Sequence, residues 1–267
     1  MYTDGSMSMQ ILLHSSKTMR RVTGLHVPLD VPQLLPQATE LVRVWKHASR
    51  NEIKMQMKLS DKKTSEVVDL FNTWSTDMSQ QVPVIDVFAG DIYSGLQAQE
   101  WSIEDRAYAH LHLLILSGLY GALRACDGIM PYRLEMGYRL PDRRTMYQFW
   151  GDSIAKLLPL DTSYILNLSA VEYTKVILPY VDFPIITPKF LTVNSETGEP
   201  RFVTVHAKIA RGTFARWIIQ NRIENVEQLK DFSELGYQWN ASLSTLEQPV
   251  FVCEVFDGLG LSVRLTV

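Results

Sequence analysis

Short apolar runs of strand length alternate with helically spaced stretches along the whole chain, and no Pro/Gly-rich linker, repeat or low-complexity tract interrupts them. Interleaving of these two periods is what layered helices and sheets require. The expectation is a mixed α/β (α+β) fold in one compact domain over residues 9–267, with 1–8 as an N-terminal extension or expression remnant. At 267 residues there is enough chain for a substantial core.

The strand-like runs are Gln10 to His14, Val84 to Phe88 and Tyr164 to Ser169, and later "PIITPKFLTV", "RFVTVH" and "PVFVCEVF". Asn194 to Pro200 reads as a hairpin turn between two of these. Helices are expected over Val31 to Ala48, from an N-cap at Ser60 to Trp74, over Met146 to Leu158, and over Ala207 to Arg222. A further helix opens on the capping box Ser102-x-x-Asp105 and continues through an apolar run to Leu116.

Composition narrows the function classes. Twenty-six basic against 29 acidic residues give a net charge of −3, which argues against bulk attraction to phosphate and leaves a local basic groove open. Two distant cysteines, Cys126 and Cys253, make no disulfide framework and point to a reducing cytoplasm. No segment approaches the ~20 apolar residues of a membrane span, and "MYTDGSMS" has neither part of a signal peptide. A cytoplasmic monomer with no membrane partner is expected. The six histidines and two cysteines lack zinc spacing, and Walker A, G-x-G-x-x-G and G-x-S-x-G motifs are missing, so no metal or cofactor is expected.

Five segments carry charge or glycine in patterns worth weighing. Leu116-Ser117-Gly118-Leu119-Tyr120-Gly121 fits a helix-hairpin-helix turn, whose following N–H groups suit a phosphate with Arg124 one turn on; a glycine C-cap followed by a turn fits it too. If Pro131 to Gly137 is a strand, Arg133 and Glu135 share a face, either as an internal ion pair or aimed into a cleft. On the helix from Ala207, Lys208, Arg211 and Arg222 fall in one stripe, with Gly212 and Ala215 beside it where a ligand backbone would approach; a solvated basic face is the plainer reading of the charges. Lys17 follows the first strand, and Asp91 and Tyr93 follow another strand-to-loop transition.

Taken together, "GDIYSGLQA", "LSGLYGALR", "PYRLEMG", "YQFWGD" and "AKIARG" resemble the YaaA peroxide-stress family, over nearly the whole chain. The resemblance implies the family's own mixed α/β fold, likened to a slice of cantaloupe, in a bacterial cytoplasmic protein that keeps unincorporated iron low under peroxide stress. It also implies DNA binding through a helix-hairpin-helix and a basic concave face. Carried over by motif, the implied site comprises Lys17, Asp91, Tyr93, Gly118, Tyr120, Gly121, Arg124, Tyr132, Arg133, Glu135, Trp150, Gly151, Asn167, Lys208, Arg211 and Arg222. Departures are visible. The family's Ser-Pro-Ala-Lys is here His14-Ser15-Ser16-Lys17, its Phe-Lys-Gly-Asp is Phe88-Ala89-Gly90-Asp91, and one of its two consecutive lysines before Ala-Arg-Gly is Ile209.

Two functions remain open at this point. One is duplex or structured DNA bound through the basic face, with little dependence on sequence. The other is an enzyme or binder of a small zwitterionic or nucleotide-like metabolite, because Lys17, Asp91, Tyr93, Arg133, Glu135 and Asn167 offer more acid, phenol and amide than a phosphate groove needs. Direct iron sequestration has no recognisable ligand cluster behind it.

Overall fold

The computed structural model describes residues 8–20, 22 and 29–258; most of the 1–8 extension lies outside them. The strands are β1 (Ser8–His14), β2 (Thr18–Met19), β3 (Val82–Pro83), β4 (Phe88–Ala89), β5 (Leu113–Ser117), β6 (Gly121–Arg124) and β7 (Gly128–Ile129) in the first half. In the second half come β8 (Thr162–Asn167), β9 (Ile185–Ile186), β10 (Lys189–Val193), β11 (Pro200–Arg201), β12 (Tyr237–Trp239) and β13 (Val250–Cys253). The helices are α1 (Leu35–His47), α2 (Arg50–Met57), α3 (Asp61–Thr73), α4 (Val84–Val87), α5 (Asp91–Leu96), α6 (Ile103–His112), α7 (Met146–Trp150), α8 (Val171–Thr174) and α9 (Thr204–Asn221).

A five-stranded sheet of order β6-β5-β1-β8-β9 forms the centre, with β1 parallel to both β5 and β8. Ile11, Leu12 and Leu13 are fully buried, as a central parallel strand covered on both faces must be. A four-stranded sheet, β11-β10-β13-β12, packs Phe190 and Phe251 against Phe214 and Phe232, with Tyr237 edge-on to Phe190. Phe214 belongs to α9, which also packs on α5 and α6 and so ties this sheet to the rest. The hairpin around 194–200 is present as the antiparallel pair β10–β11. Ser60 caps α3 and Ser102 closes the capping box of α6, both as the sequence predicts.

Several expected elements differ, and burial explains why. Val84 to Phe88 is not a strand. Four of its residues form the short helix α4, where Val84, Ile85, Asp86 and Val87 are all buried, and an apolar run this short has no periodicity to separate the two states. The helix from Ser102 stops at His112, and Leu113–Ser117 becomes strand β5. Leu113, Leu114, Ile115 and Leu116 pair residue by residue with β1, and an apolar run buried on both faces looks the same in either state. In "RFVTVH" only Arg201 remains in a strand, with α9 already begun at Thr204, and the helix expected over Met146 to Leu158 ends at Trp150. Gly151 stands there at φ +49.

The Gly118–Gly121 turn joins strands β5 and β6, so the helix-hairpin-helix is replaced by a β-hairpin closed by Ser117 opposite Gly121. Its glycines serve packing. A Cβ on Gly118 would lie 2.2 Å from the Leu134 carbonyl oxygen, and one on Gly121, at φ +72, would lie 2.9 Å from the Trp150 ring. Pro131 to Gly137 is irregular rather than a strand.

Candidate functional site

The carboxyl ends of β1 and β8 open onto a cavity of about 420 Å³, the crevice at which open α/β sheets place ligands. Its lining comes from five parts of the chain. His14 to Thr18 leave β1, Ala170, Glu172 and Tyr173 follow β8, Ala89 to Tyr93 lead into α5, and Glu135 and Lys208 close it from the 131–137 segment and α9.

Glycine sets how closely α5 and α9 approach. A Cβ on Gly212 would lie 1.8 Å from the Ile92 carbonyl oxygen, and one on Gly95 would lie 2.1 Å from that of Ile209. Gly212 and the fully buried Ala215 therefore serve helix packing, not a ligand's backbone. That close crossing holds Lys208 over α5, with its Nζ 3.9 Å from Asp91 Oδ2.

Across the cavity, Lys17 Nζ lies 2.7 Å from Glu135 Oε2. Glu135 is buried and also accepts from the Tyr138 hydroxyl at 2.5 Å, so the expected Arg133–Glu135 pair is replaced by Lys17 and Tyr138. Arg133 lines a smaller cleft beside the cavity, with Tyr132, Glu135 and Tyr173, and its Nε is buried without a hydrogen-bond partner. Glu172 Oε1 accepts from Gly137 N–H at 2.8 Å. The lining thus carries two ammonium groups, Lys17 and Lys208, against three carboxylates, Asp91, Glu135 and Glu172.

His14 ends β1 and stacks on Tyr173 with ring centroids 5.0 Å apart. Its Nδ1 accepts the Ala170 backbone N–H at 3.1 Å. Burial first, then the charges of Arg211 and Lys208, lower its pKa from 6.5 to about 3, so the imidazole is neutral at pH 7. Tyr93 is buried and donates its hydroxyl to the His14 carbonyl oxygen at 2.9 Å. Burial drives the phenols of Tyr93, Tyr132 and Tyr173 upward, so they remain protonated hydroxyl groups.

The neutral His14 predicts an acid limb. Its folded pKa lies below its unfolded one, so its contribution is complete above pH 6.5 and is lost as pH falls toward 3, where only the unfolded chain takes up the proton. The loss is on the order of a few kcal/mol. Denaturant midpoints at pH 7 and pH 4 should fall more in the wild type than in His14→Gln; equal falls would contradict the assignment.

Of the implied residues, Lys17, Asp91, Tyr93, Glu135 and Lys208 meet in the cavity. Tyr132 and Arg133 flank it, and Arg211, half-buried one turn beyond Lys208, has no carboxylate partner among the described residues. The others go elsewhere. Tyr120 is buried and accepts from Trp74 Nε1–H at 2.9 Å and Met130 N–H at 3.1 Å, while Trp150 Nε1–H donates to the Gly118 carbonyl at 3.1 Å. Asn167 holds the turn after β8 by accepting from Ser169 N–H and the Thr174 hydroxyl. Arg124 is bound to Asp127 at 3.0 Å. Arg222 has left the helical stripe, as the α9 C-cap at φ +52, and pairs with Asp105 at 2.9 Å while its guanidinium lies over the Tyr108 ring. The expected continuous basic stripe is therefore broken up by carboxylates.

His14, Ser15, Ser16, Glu172 and Tyr173 were not predicted as lining. Their signal was positional, in that each follows the carboxyl end of a parallel strand, and only the pairing of β1 with β8 makes that visible.

The profile of the family described as peroxide stress protein YaaA matches residues 9–243. The chain belongs to this family. Among relatives of this YaaA-family chain, a UPF0246 protein of Salinispora tropica is 50% identical over 96% of the chain and 98% of its own length. Others are UPF0246 proteins of Roseobacter denitrificans, 37% identical over 85% of the chain and 91% of the relative, and of Legionella pneumophila, 38% identical over 80% and 87%. All five resembling segments lie inside the matched span. No helix among the described residues is long and apolar enough to cross a membrane.

Proposed function

We propose that this YaaA-family chain serves its peroxide-stress role by binding, and acting on, a small metabolite that carries both signs of charge. The observation that supports this best is the lining itself, in which three carboxylates outnumber two ammonium groups around about 420 Å³. A polyphosphate backbone entering that space would meet Asp91, Glu135 and Glu172, whereas a small zwitterion places its anionic group near Lys208 and its cationic group near Glu172. Size agrees, since the volume lies in the range of small-molecule sites.

DNA binding keeps Arg211 but has less support from the other features that recommended it. The glycine hairpin is a buried β-turn, and Lys17, Arg124, Lys208 and Arg222 each stand within 4.0 Å of a carboxylate. Any lowering of unincorporated iron is proposed to run through the bound metabolite, not through metal held by the chain.

A thermal-shift screen tests this reading with amino acids, nucleotides, polyamines and dicarboxylates. A ligand at about 100 times its Kd stabilises by about 2.7 kcal/mol, which in a chain of this size raises Tm by roughly 5–10 °C. Compounds of both signs should stabilise most, and Lys208→Ala should reduce the shift. Absence of any stabilising compound, with duplex DNA binding at about 50 mM salt, would overturn the proposal.

A further inference from the structure

The stacked pair of rings in the cavity wall meets charge on both sides. Lys208 and Arg211 act on His14, His14 stacks on Tyr173, and the Tyr173 phenol feels Glu135 and Glu172. Lys208, with Asp91 3.9 Å from it, thus acts on the imidazole of the stacked pair, and Glu135 and Glu172, with Lys17 2.7 Å from Glu135, act on the phenol.

The imidazole of that pair has a fixed hydrogen-bonding sense. Ala170 N–H points at Nδ1 from 3.1 Å, and two N–H groups cannot face each other at that distance, so Nδ1 must carry a lone pair. A neutral ring then has its proton on Nε2. That atom has no hydrogen-bond partner among the described residues, and His14 lines the cavity. The ring cannot turn over without setting a C–H edge against Ala170 N–H. Tyr173 holds one ring face, and the Tyr93 hydroxyl pins the His14 carbonyl at 2.9 Å.

We propose that His14 is an oxygen-recognition residue of the site, its Nε2–H and the Lys208 ammonium together receiving a carboxylate or carbonyl oxygen of the bound metabolite. This rests on the small-ligand reading above and adds to it which residues take the oxygen and through which atom. As a neutral donor with its only lone pair occupied, His14 binds or polarises that oxygen and does not abstract a proton. A neutral imidazole placed this way suits a planar carboxylate or carbonyl, and Lys208 supplies the charge.

Two-bond 1H–15N spectra of the whole chain at pH 7 read the tautomer directly, and acetate and β-alanine serve as probes. The expected result is His14 as the Nε2–H tautomer, with that resonance moving as either probe is added. His14→Phe, which keeps a ring and removes the donor, should bind β-alanine about tenfold more weakly, whereas His14→Gln, which restores an N–H, should stay within about threefold of the wild type. An Nδ1–H tautomer or an imidazolium at pH 7 overturns the proposal whether or not a probe binds. Probe-induced shifts at Lys208 and Glu172 without a change at His14 overturn it while leaving the small-ligand reading intact. Absence of binding anywhere in the cavity, with the Nε2–H tautomer present, overturns both, and the tautomer then counts only as a feature of the fold.

Discussion

Asp86→Ala is expected to lower stability by about 3–5 kcal/mol, a fall in Tm of roughly 10 °C for a chain of this size. Asp86 is buried on α4 and takes both arms of Arg106, Nη1 and Nη2 each at 2.8 Å, and Arg106 Nη2 also donates to the Ala98 carbonyl at 2.9 Å. Removing the carboxylate leaves a guanidinium in a site where its side chain is 11% exposed. That desolvated charge, more than the lost attraction, sets the size of the effect. The double replacement Asp86→Leu with Arg106→Met removes the charge with its partner and should recover most of the loss. Thermal unfolding of the three variants checks this, and a double variant no more stable than Asp86→Ala would contradict it. Because α4 leads through Phe88–Ala89 into Asp91 and Tyr93, the single variant should also weaken ligand binding.

Gly212→Ala sets two opposing effects against each other. Alanine in a helix interior is favoured over glycine by about 1 kcal/mol. The added Cβ, however, would lie 1.8 Å from the Ile92 carbonyl oxygen, which is backbone and cannot swing aside. Overpacking of this kind costs about 1–3 kcal/mol, and against a fixed backbone atom the upper end applies, so after the helix gain of about 1 kcal/mol the net destabilisation should be about 2 kcal/mol. The functional loss should be larger in proportion, because parting α9 from α5 draws Lys208 away from Asp91 and Tyr93. Gly151→Ala is the control. Its Cβ would meet nothing within 4 Å, leaving only the backbone at φ +49, ψ −130, which favours glycine and costs another residue about 1–3 kcal/mol, and no effect on the cavity. A Gly212→Ala variant as stable as wild type and binding ligand equally well would contradict the packing argument.

How much of this was legible in the sequence differed from element to element. Capping chemistry was plain at Ser60 and Ser102, because a cap is a local event whose residues sit next to each other in the chain. The Asn194–Pro200 turn was plain for the same reason. The Leu113–Leu116 run was not, since full burial on both faces of a parallel sheet erases the alternation that marks a strand. Misplacing that strand turned a β-hairpin into an apparent helix-hairpin-helix, and with it a buried tyrosine and two packing glycines into apparent DNA contacts. Charge was harder still. Lys17, Lys208 and Arg222 are visible as cations, but their partners Glu135, Asp91 and Asp105 lie over 100 residues away in each case, beyond what local spacing can pair.

The central claim is that the crevice at the ends of β1 and β8 is a small-molecule site of both charge signs. A crystal structure of the chain with the most stabilising compound from the screen tests it most directly. The predicted result is density in the cavity with the compound's anionic oxygen beside Lys208 and His14 and its cationic group toward Glu172. A saturating compound bound elsewhere on the surface, or a DNA duplex laid across Lys17 and Lys208 with both freed from their carboxylates, would contradict it.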